Sequence, residues 1–238
     1  MDDLFDEKNI ILEANLDGEG MQNDESQNPF LAKAKEAVCL IKYKGKSGTG
    51  FFCDIPGIRG DVPLTFLITN CHVYPQNSEI TEKFIDIIIN GNPKTIKLEG
   101  RGKWTNSEMD FTCIEIKKEE DNIKTSFSLD DNILQSKYSN KDYLTKSVTA
   151  YGLNSKDNYK LYYSYGIIKE SNKRLFTHTC NTYKGCSGGC INIKDTNRVI
   201  GIHMGTHSNN IVNIGIFING AIKDIKKQQV NHYSYNRH

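Results

Sequence analysis

Residues 185–193 read Gly-Cys-Ser-Gly-Gly-Cys-Ile-Asn-Ile, and the reading of this stretch decides the fold. A serine flanked by glycines can be presented on a tight turn with backbone N–H groups pointing at one spot, which supplies a nucleophile and an oxyanion hole together. The same residues satisfy Gly-x-Ser-x-Gly, the nucleophile elbow of the α/β hydrolases. An elbow, however, needs a helix directly after its serine and partners in the order Ser, acid, His. Here Gly188-Gly189 leads into Cys190-Ile191-Asn192-Ile193, which reads as a strand. The other alternative is a plain glycine turn with an ordinary serine, and the rest of the chain has to decide against it.

From Ala37 onward, runs rich in β-branched and aromatic residues recur with Gly, Asn, Asp or Pro between them. The strand candidates are residues 38–43, 50–53, 65–69, 84–89, 111–116, 148–151, 161–168, 190–193, 199–204 and 211–218. So many short strands with few helical patterns indicate an all-β protein of sandwich or barrel type. Residues 117–132, dense in charge and turn formers, read as a link between two lobes, and residues 221–230 as a short closing helix. The 238 residues suit one unit of two lobes, and no run approaches the ~18 apolar residues of a membrane-spanning helix.

Two further residues join the serine. Leu67-Ile68-Thr69-Asn70-Cys71-His72-Val73 places His72 at the end of an apolar strand, a fixed mounting of the kind a general base needs. Met109-Asp110-Phe111-Thr112-Cys113-Ile114 puts Asp110 at the mouth of another apolar strand, where a half-buried carboxylate can orient an imidazole. Taken singly, His72 also reads as a structural histidine and Asp110 as a turn residue. Their order with Ser187 changes the weight of each. That order, the Gly-Thr-Gly-Phe-Phe strand at 48–52, the Thr-Asn-Cys-His-Val turn at 69–73 and the Gly-x-Ser-Gly-Gly loop resemble the chymotrypsin-like serine proteases over residues 37–226.

The resemblance implies two antiparallel six-stranded β-barrels with the site in the cleft between them. Residues 29–125 would form the first barrel, carrying His72 and Asp110, and residues 126–238 the second, carrying Ser187 and ending in the helix. It implies that Ser187 attacks, His72 takes and returns its proton, Asp110 holds the imidazole, and the N–H groups of Gly185 and Ser187 bind the oxyanion. Cys186 stands where digestive members carry Asp, and Val73 where they carry a disulfide cysteine, so the branch is closer to bacterial and viral members. Thr182, five residues before Ser187, and the stretch Val199-Ile200-Gly201-Ile202-His203-Met204-Gly205 resemble the bacterial glutamyl endopeptidases; picornaviral cysteine proteases share a similar Thr and Gly-x-His arrangement and select glutamine. Thr182 and His203, with Met204 and Gly205 beside them, are then the substrate-binding residues, and the expected reaction is hydrolysis after Glu or Gln. A hydroxyl and an imidazole N–H can both donate to a side-chain oxygen, and a protonated imidazole would favour glutamate. The alternative function is a catalytically silent protease fold used for binding.

Charge and cysteines set the surroundings. Residues 1–28 hold nine acids and one base, net −8, and the remaining 29 bases and 20 acids give +9, so the overall +1 averages an acidic arm and a basic body. The arm, with a weakly amphipathic stretch at 4–16, reads as flexible; Glu13, Glu19, Gln22, Glu25 and Gln27 are candidate cleavage positions within it, and self-inhibition by the arm is one possible regulation. Seven scattered cysteines and an N-terminus, MDDLFDEKNI, with no signal-like apolar run suggest free thiols in the cytoplasm. Cys186 is expected to be a packed, unreactive thiol. No metal or cofactor is assigned, since the cluster His178, Cys180, Cys186, Cys190 and His207 lacks a Cys-x-x-Cys pair. The partner expected is a protein or peptide substrate. The Lys42, Lys44, Lys46 alternation reads as a solvated strand face rather than a nucleic-acid site.

Overall fold

A computed structural model describes residues 10–11, 22–23, 28, 30–58, 60–74, 83–135, 139–207 and 212–235, with the backbone alone for 10–11 and 228–235. The strands in chain order begin with β1 (Ile10–Ile11), β2 (Val38–Tyr43), β3 (Lys46–Ile55), β4 (Leu64–Thr69) and β5 (Phe84–Ile89). Next come β6 (Asn92–Lys97), β7 (Lys103–Asn106), β8 (Phe111–Ile116), β9 (Phe127–Leu129) and β10 (Ser147–Asn154). The last are β11 (Lys160–Ser171), β12 (Leu175–His178), β13 (Cys190–Ile193), β14 (Arg198–His207) and β15 (Val212–Phe217). Helices α1 (Leu31–Ala37), α2 (Lys118–Asp121) and α3 (Ile218–Tyr235) complete the elements used below. None of the helices is long and apolar enough to cross a membrane.

The later strands close a barrel of six antiparallel strands in the order β10-β11-β12-β15-β14-β13, with β13 pairing back onto β10. The earlier strands pair as β6-β5-β2-β3-β4-β8-β7. Residues 92–106 supply both ends of that series, β6 lying on β5 and β7 on β8. The all-β fold with a C-terminal helix is the one expected. Strand β9 lies parallel to both β3 and β14 and joins the two barrels into one sheet.

The patterning explains why several strands are apolar without a break. Cys39, Ile41 and Phe52 fill the first barrel, while their neighbours Val38, Leu40, Phe51 and Cys53 belong to a second core shared with α1, β9, the second barrel and α3. Successive side chains of a strand point to opposite faces, so β2 and β3 feed two cores at once. Phe127 of β9 sits between Phe51 and Tyr151, with ring centroids at 6.4 and 6.0 Å.

The differences from the sequence reading follow from the same pattern. β6, Asn92-Pro93-Lys94-Thr95-Ile96-Lys97, buries little beyond Ile96, so it carries no apolar run to find. α1 hides at the boundary of the acidic segment, yet Leu31, Ala34 and Ala37 are fully buried. The closing helix is longer than 221–230, running from Ile218 to Tyr235. The three lysines do not share one strand face, because the Lys44-Gly45 turn separates Lys42 on β2 from Lys46 on β3. Most of stretch 4–16 lies outside the described residues, and its described part, Ile10–Ile11, is a strand.

Candidate active site

His72 sits in the turn that follows β4, and this turn is tied down before the imidazole does any chemistry. The Val73 and Tyr74 N–H groups donate to Asn70 O at 3.2 and 3.1 Å, and the Asn70 amide donates to Asp110 O at 3.0 Å. Asp110, just ahead of β8, takes left-handed backbone with φ +46°, a conformation that Asp tolerates better than most residues. Its carboxylate meets His72 twice: Oδ1 accepts from the backbone N–H at 2.9 Å and Oδ2 lies 2.7 Å from Nδ1. With Nδ1–H donated to Asp110, Nε2 is the basic nitrogen, and it has no hydrogen-bond partner among the described residues.

Ser187 comes from the other barrel. Its loop is seated by Thr49 of β3, whose N–H donates to Ser187 O at 2.8 Å and whose hydroxyl donates to Gly185 O at 2.6 Å and accepts from Leu153 N–H at 3.0 Å. Gly188 lies so close to β3 that a Cβ there would stand 2.1 Å from Thr49 O, at φ +86°. Gly185 has φ +106°. Gly188 N–H and Gly189 N–H donate to His203 O and Cys186 O at 2.9 Å each, while those of Gly185 and Ser187 have no protein acceptor among the described residues. The Ser187 hydroxyl donates to Met204 O at 3.3 Å and makes no hydrogen bond to His72. His72, Gly185 and Ser187 nevertheless line one cleft of about 410 Å³, with Lys46, Tyr159 and Lys184 around them.

The residues expected to bind substrate lie beside this arrangement, not in that cleft. Thr182 is buried, and its hydroxyl donates to Asn213 Oδ1 at 3.2 Å; Thr206 donates to the same oxygen at 2.5 Å. The Asn213 amide donates to Cys180 O at 2.6 Å, which fixes which way the amide points. The proton of Thr182 is therefore engaged, a change from the expectation of two free donors. His203 is buried on β14, its Nδ1 3.3 Å from Nε2 of His178 and its own Nε2 without a partner among the described residues. Burial, together with the neighbouring His178 and His72, pushes the His203 imidazole well below its usual range, which favours its uncharged form. Met204 packs with Leu175, Ile214 and Ile216, and Gly205 pairs with Ile214 across a bulge.

None of the seven cysteines forms a disulfide, and all are buried. Cys186 is wedged under Gly152, with its sulfur accepting from Tyr183 N–H at 3.3 Å, which fits the packed thiol expected. No group of three or more His, Cys, Asp or Glu suited to a metal occurs among the described residues. Sequence reading gave no role to Thr49 or Asn213, and weighed His178 only as a metal ligand, not as the neighbour of His203. Thr49 was visible inside Gly-Thr-Gly-Phe-Phe, but its role depends on a contact 136 residues away.

No protein-family model matches the chain, and no curated protein matches it. Solved structures do. A Glu endopeptidase superposes with a TM-score of 0.63 at 13% identity, covering 90% of this chain and 98% of that one. The active form of the Rv3671c protease from M. tuberculosis gives 0.61 at 14%, covering 89% and 90%. The serine protease domain of the Sesbania mosaic virus polyprotein gives 0.53 at 20%, covering 79% and 91%. On its closed six-stranded antiparallel barrel, the strand series joined to it through β9 and these likenesses, the chain has the fold of the chymotrypsin-like serine proteases.

Proposed function

We propose that the chain is a serine endopeptidase that acylates Ser187 and hydrolyses peptide bonds after Glu or Gln. The observation that carries the reading is the His72 ring, held at Nδ1 by Asp110 at 2.7 Å with Nε2 unpartnered, on the cleft that Ser187 also lines. Rotation of the Ser187 hydroxyl from Met204 O to Nε2 sets up proton transfer as the oxygen attacks the carbonyl carbon. The N–H groups of Gly185 and Ser187 receive the oxyanion, and Asp110 stabilises the imidazolium. His72 then gives the proton to the leaving amine, and water repeats the sequence on the ester. His203 donates Nε2–H to the side-chain oxygen of Glu or Gln, and apolar side chains are rejected because that buried donor would stay unpaired.

A fluorophosphonate probe should label the protein, and the label should vanish in Ser187→Ala. A peptide library should be cut after Glu and Gln, with a ratio that stays flat from about pH 6 to 9 because His203 is neutral. The bond from Ser187 to Met204 O favours a second reading, a silent fold that binds peptides. Stoichiometric peptide binding with neither labelling nor turnover would select that reading.

A further inference from the structure

The cleft that Ser187 and His72 line adjoins a second groove. The cleft, of about 410 Å³, takes Lys46 and Ser47 from β3, Tyr159 from the connection between β10 and β11, and Lys184 from the nucleophile loop. The groove, of about 420 Å³, is walled by β2 and the β10–β11 hairpin, with Lys42, Lys160 and again Tyr159 in its lining. The two spaces meet at Tyr159. Its hydroxyl lies 2.6 Å from Ser47 Oγ, and Lys42, which pairs opposite Ser47 in the β2–β3 hairpin, holds Nζ 5.9 Å from its ring centroid. The Tyr159 backbone has φ +56°, rare for an aromatic residue, and its N–H donates to Asn154 O at 2.8 Å.

Charge in these spaces is of one sign. Lys42, Lys46, Lys160 and Lys184 are exposed, Lys35 adds a fifth cation to the groove, and no Asp or Glu lines either space. Asp157, in the same connection as Tyr159, accepts from Tyr162 OH at 2.5 Å. Lys46 and Lys184 have no acidic partner among the described residues. Walls of one charge focus field lines along a cleft and draw in the opposite charge.

The chemistry at Ser187 sets which part of a substrate enters. In the protease reading, on which this inference rests, the Glu or Gln side chain goes to His203 and its carbonyl oxygen to the N–H groups of Gly185 and Ser187. Thr182 and His203 are absent from the cleft lining, whereas His72, which protonates the leaving amine, is part of it. The chain after the cut bond therefore departs along the cleft toward the groove. We propose that the enzyme selects acidic side chains on this leaving side, Lys46 and Lys184 reading the residues nearest the bond and Lys42 and Lys160 those beyond. Its substrates are then segments in which the Glu or Gln is followed by further acids, and a leaving side rich in Lys or Arg is repelled.

Peptides that share one Glu at the cut position and carry Asp, Ala or Lys after it test this. An exposed ion pair contributes at most about fivefold, so two or three acids should raise kcat/KM about tenfold over the Ala peptide in low salt. Added salt, to about 0.5 M, should remove most of the difference. Lys46→Glu with Lys184→Glu should reverse the preference toward Lys at the first positions, which lost packing would not do. Lys42→Glu with Lys160→Glu should do the same farther out. In Ser187→Ala protein a fluorescein-labelled acidic leaving-side peptide should bind, and the four charge reversals together should abolish its binding. Equal turnover of the Asp, Ala and Lys peptides, or a preference that the reversals leave in place, overturns the proposal and spares the protease reading. So does a single-stranded oligonucleotide of equal charge that binds Ser187→Ala protein more tightly than the peptide. A chain with neither turnover nor fluorophosphonate label overturns the protease reading itself.

Discussion

Asp110 holds His72 through two separate groups, the backbone N–H and Nδ1, and does so from a backbone with φ +46°. Orientation and tautomer of the imidazole therefore depend on one carboxylate. Asp110→Asn keeps the shape but can turn its amide N–H₂ toward Nδ1, which moves the ring proton to Nε2 and removes the base. A fall in kcat on the order of 10⁴ is expected, with an unchanged circular dichroism spectrum. Measuring kcat with a Glu or Gln peptide checks it; a loss under tenfold would mean that His72 is not the base. Gly188 makes the complementary point, since its left-handed backbone lies where a Cβ would strike Thr49 O. Gly188 lets the Ser187 loop close against β3 and Thr69, while Gly185 and Gly189 let it close against Leu153 and Tyr151 of β10.

At the scale of elements, β12 and β14 bury two histidines against each other. Burial lowers the His178 imidazole from 6.5 to about 3 and also depresses His203. Below pH 6.5 the unfolded chain binds a proton at each imidazole that the folded chain refuses. Stability is therefore complete above pH 6.5 and falls as the pH drops toward 3, by up to about 1.4 kcal/mol per pH unit for each group. Urea midpoints between pH 7 and 4 should decline, and His178→Phe should flatten the decline whatever it does to the midpoint at pH 7. An equally steep decline in His178→Phe would place the acid sensitivity elsewhere. The elements the sequence hid are those whose burial is one-sided or brief: β6 is a polar strip with Ile96 as its anchor, and β12 is four residues long.

Across the whole molecule, the link between barrels is held by an ion pair removed from water. Arg101 meets both carboxylate oxygens of Asp121 in α2, at 2.5 and 2.8 Å, and the two side chains are only 3% and 4% exposed. Asp121 also accepts from Lys117 N–H at 2.9 Å, which starts the helix that leads to β9. Removing one partner of such a pair leaves a buried charge and costs about 3–5 kcal/mol, roughly 6–20 °C in Tm for a chain of this size. Arg101→Ala should lose that much in thermal melts, and Arg101→Met with Asp121→Leu should lose less. A double variant as unstable as Arg101→Ala would show that geometry, not the stranded charge, sets the cost.

The sequence alone determined what depends on local pattern. Runs rich in β-branched and aromatic residues between turn formers marked ten strands and the all-β class, and the order of His72, Asp110 and Ser187 in their motifs pointed to one fold. The tertiary structure decided what depends on residues far apart in the chain. It brought Thr49 under the Ser187 loop, engaged the Thr182 proton with Asn213, and buried His203 beside His178, which favours its uncharged form. It also laid Ile10–Ile11 along β14, where composition suggested only a flexible acidic arm. The physical reason is the same in each case: proton positions, imidazole charge and strand partners are set by burial and by neighbours across the fold, which no local pattern records.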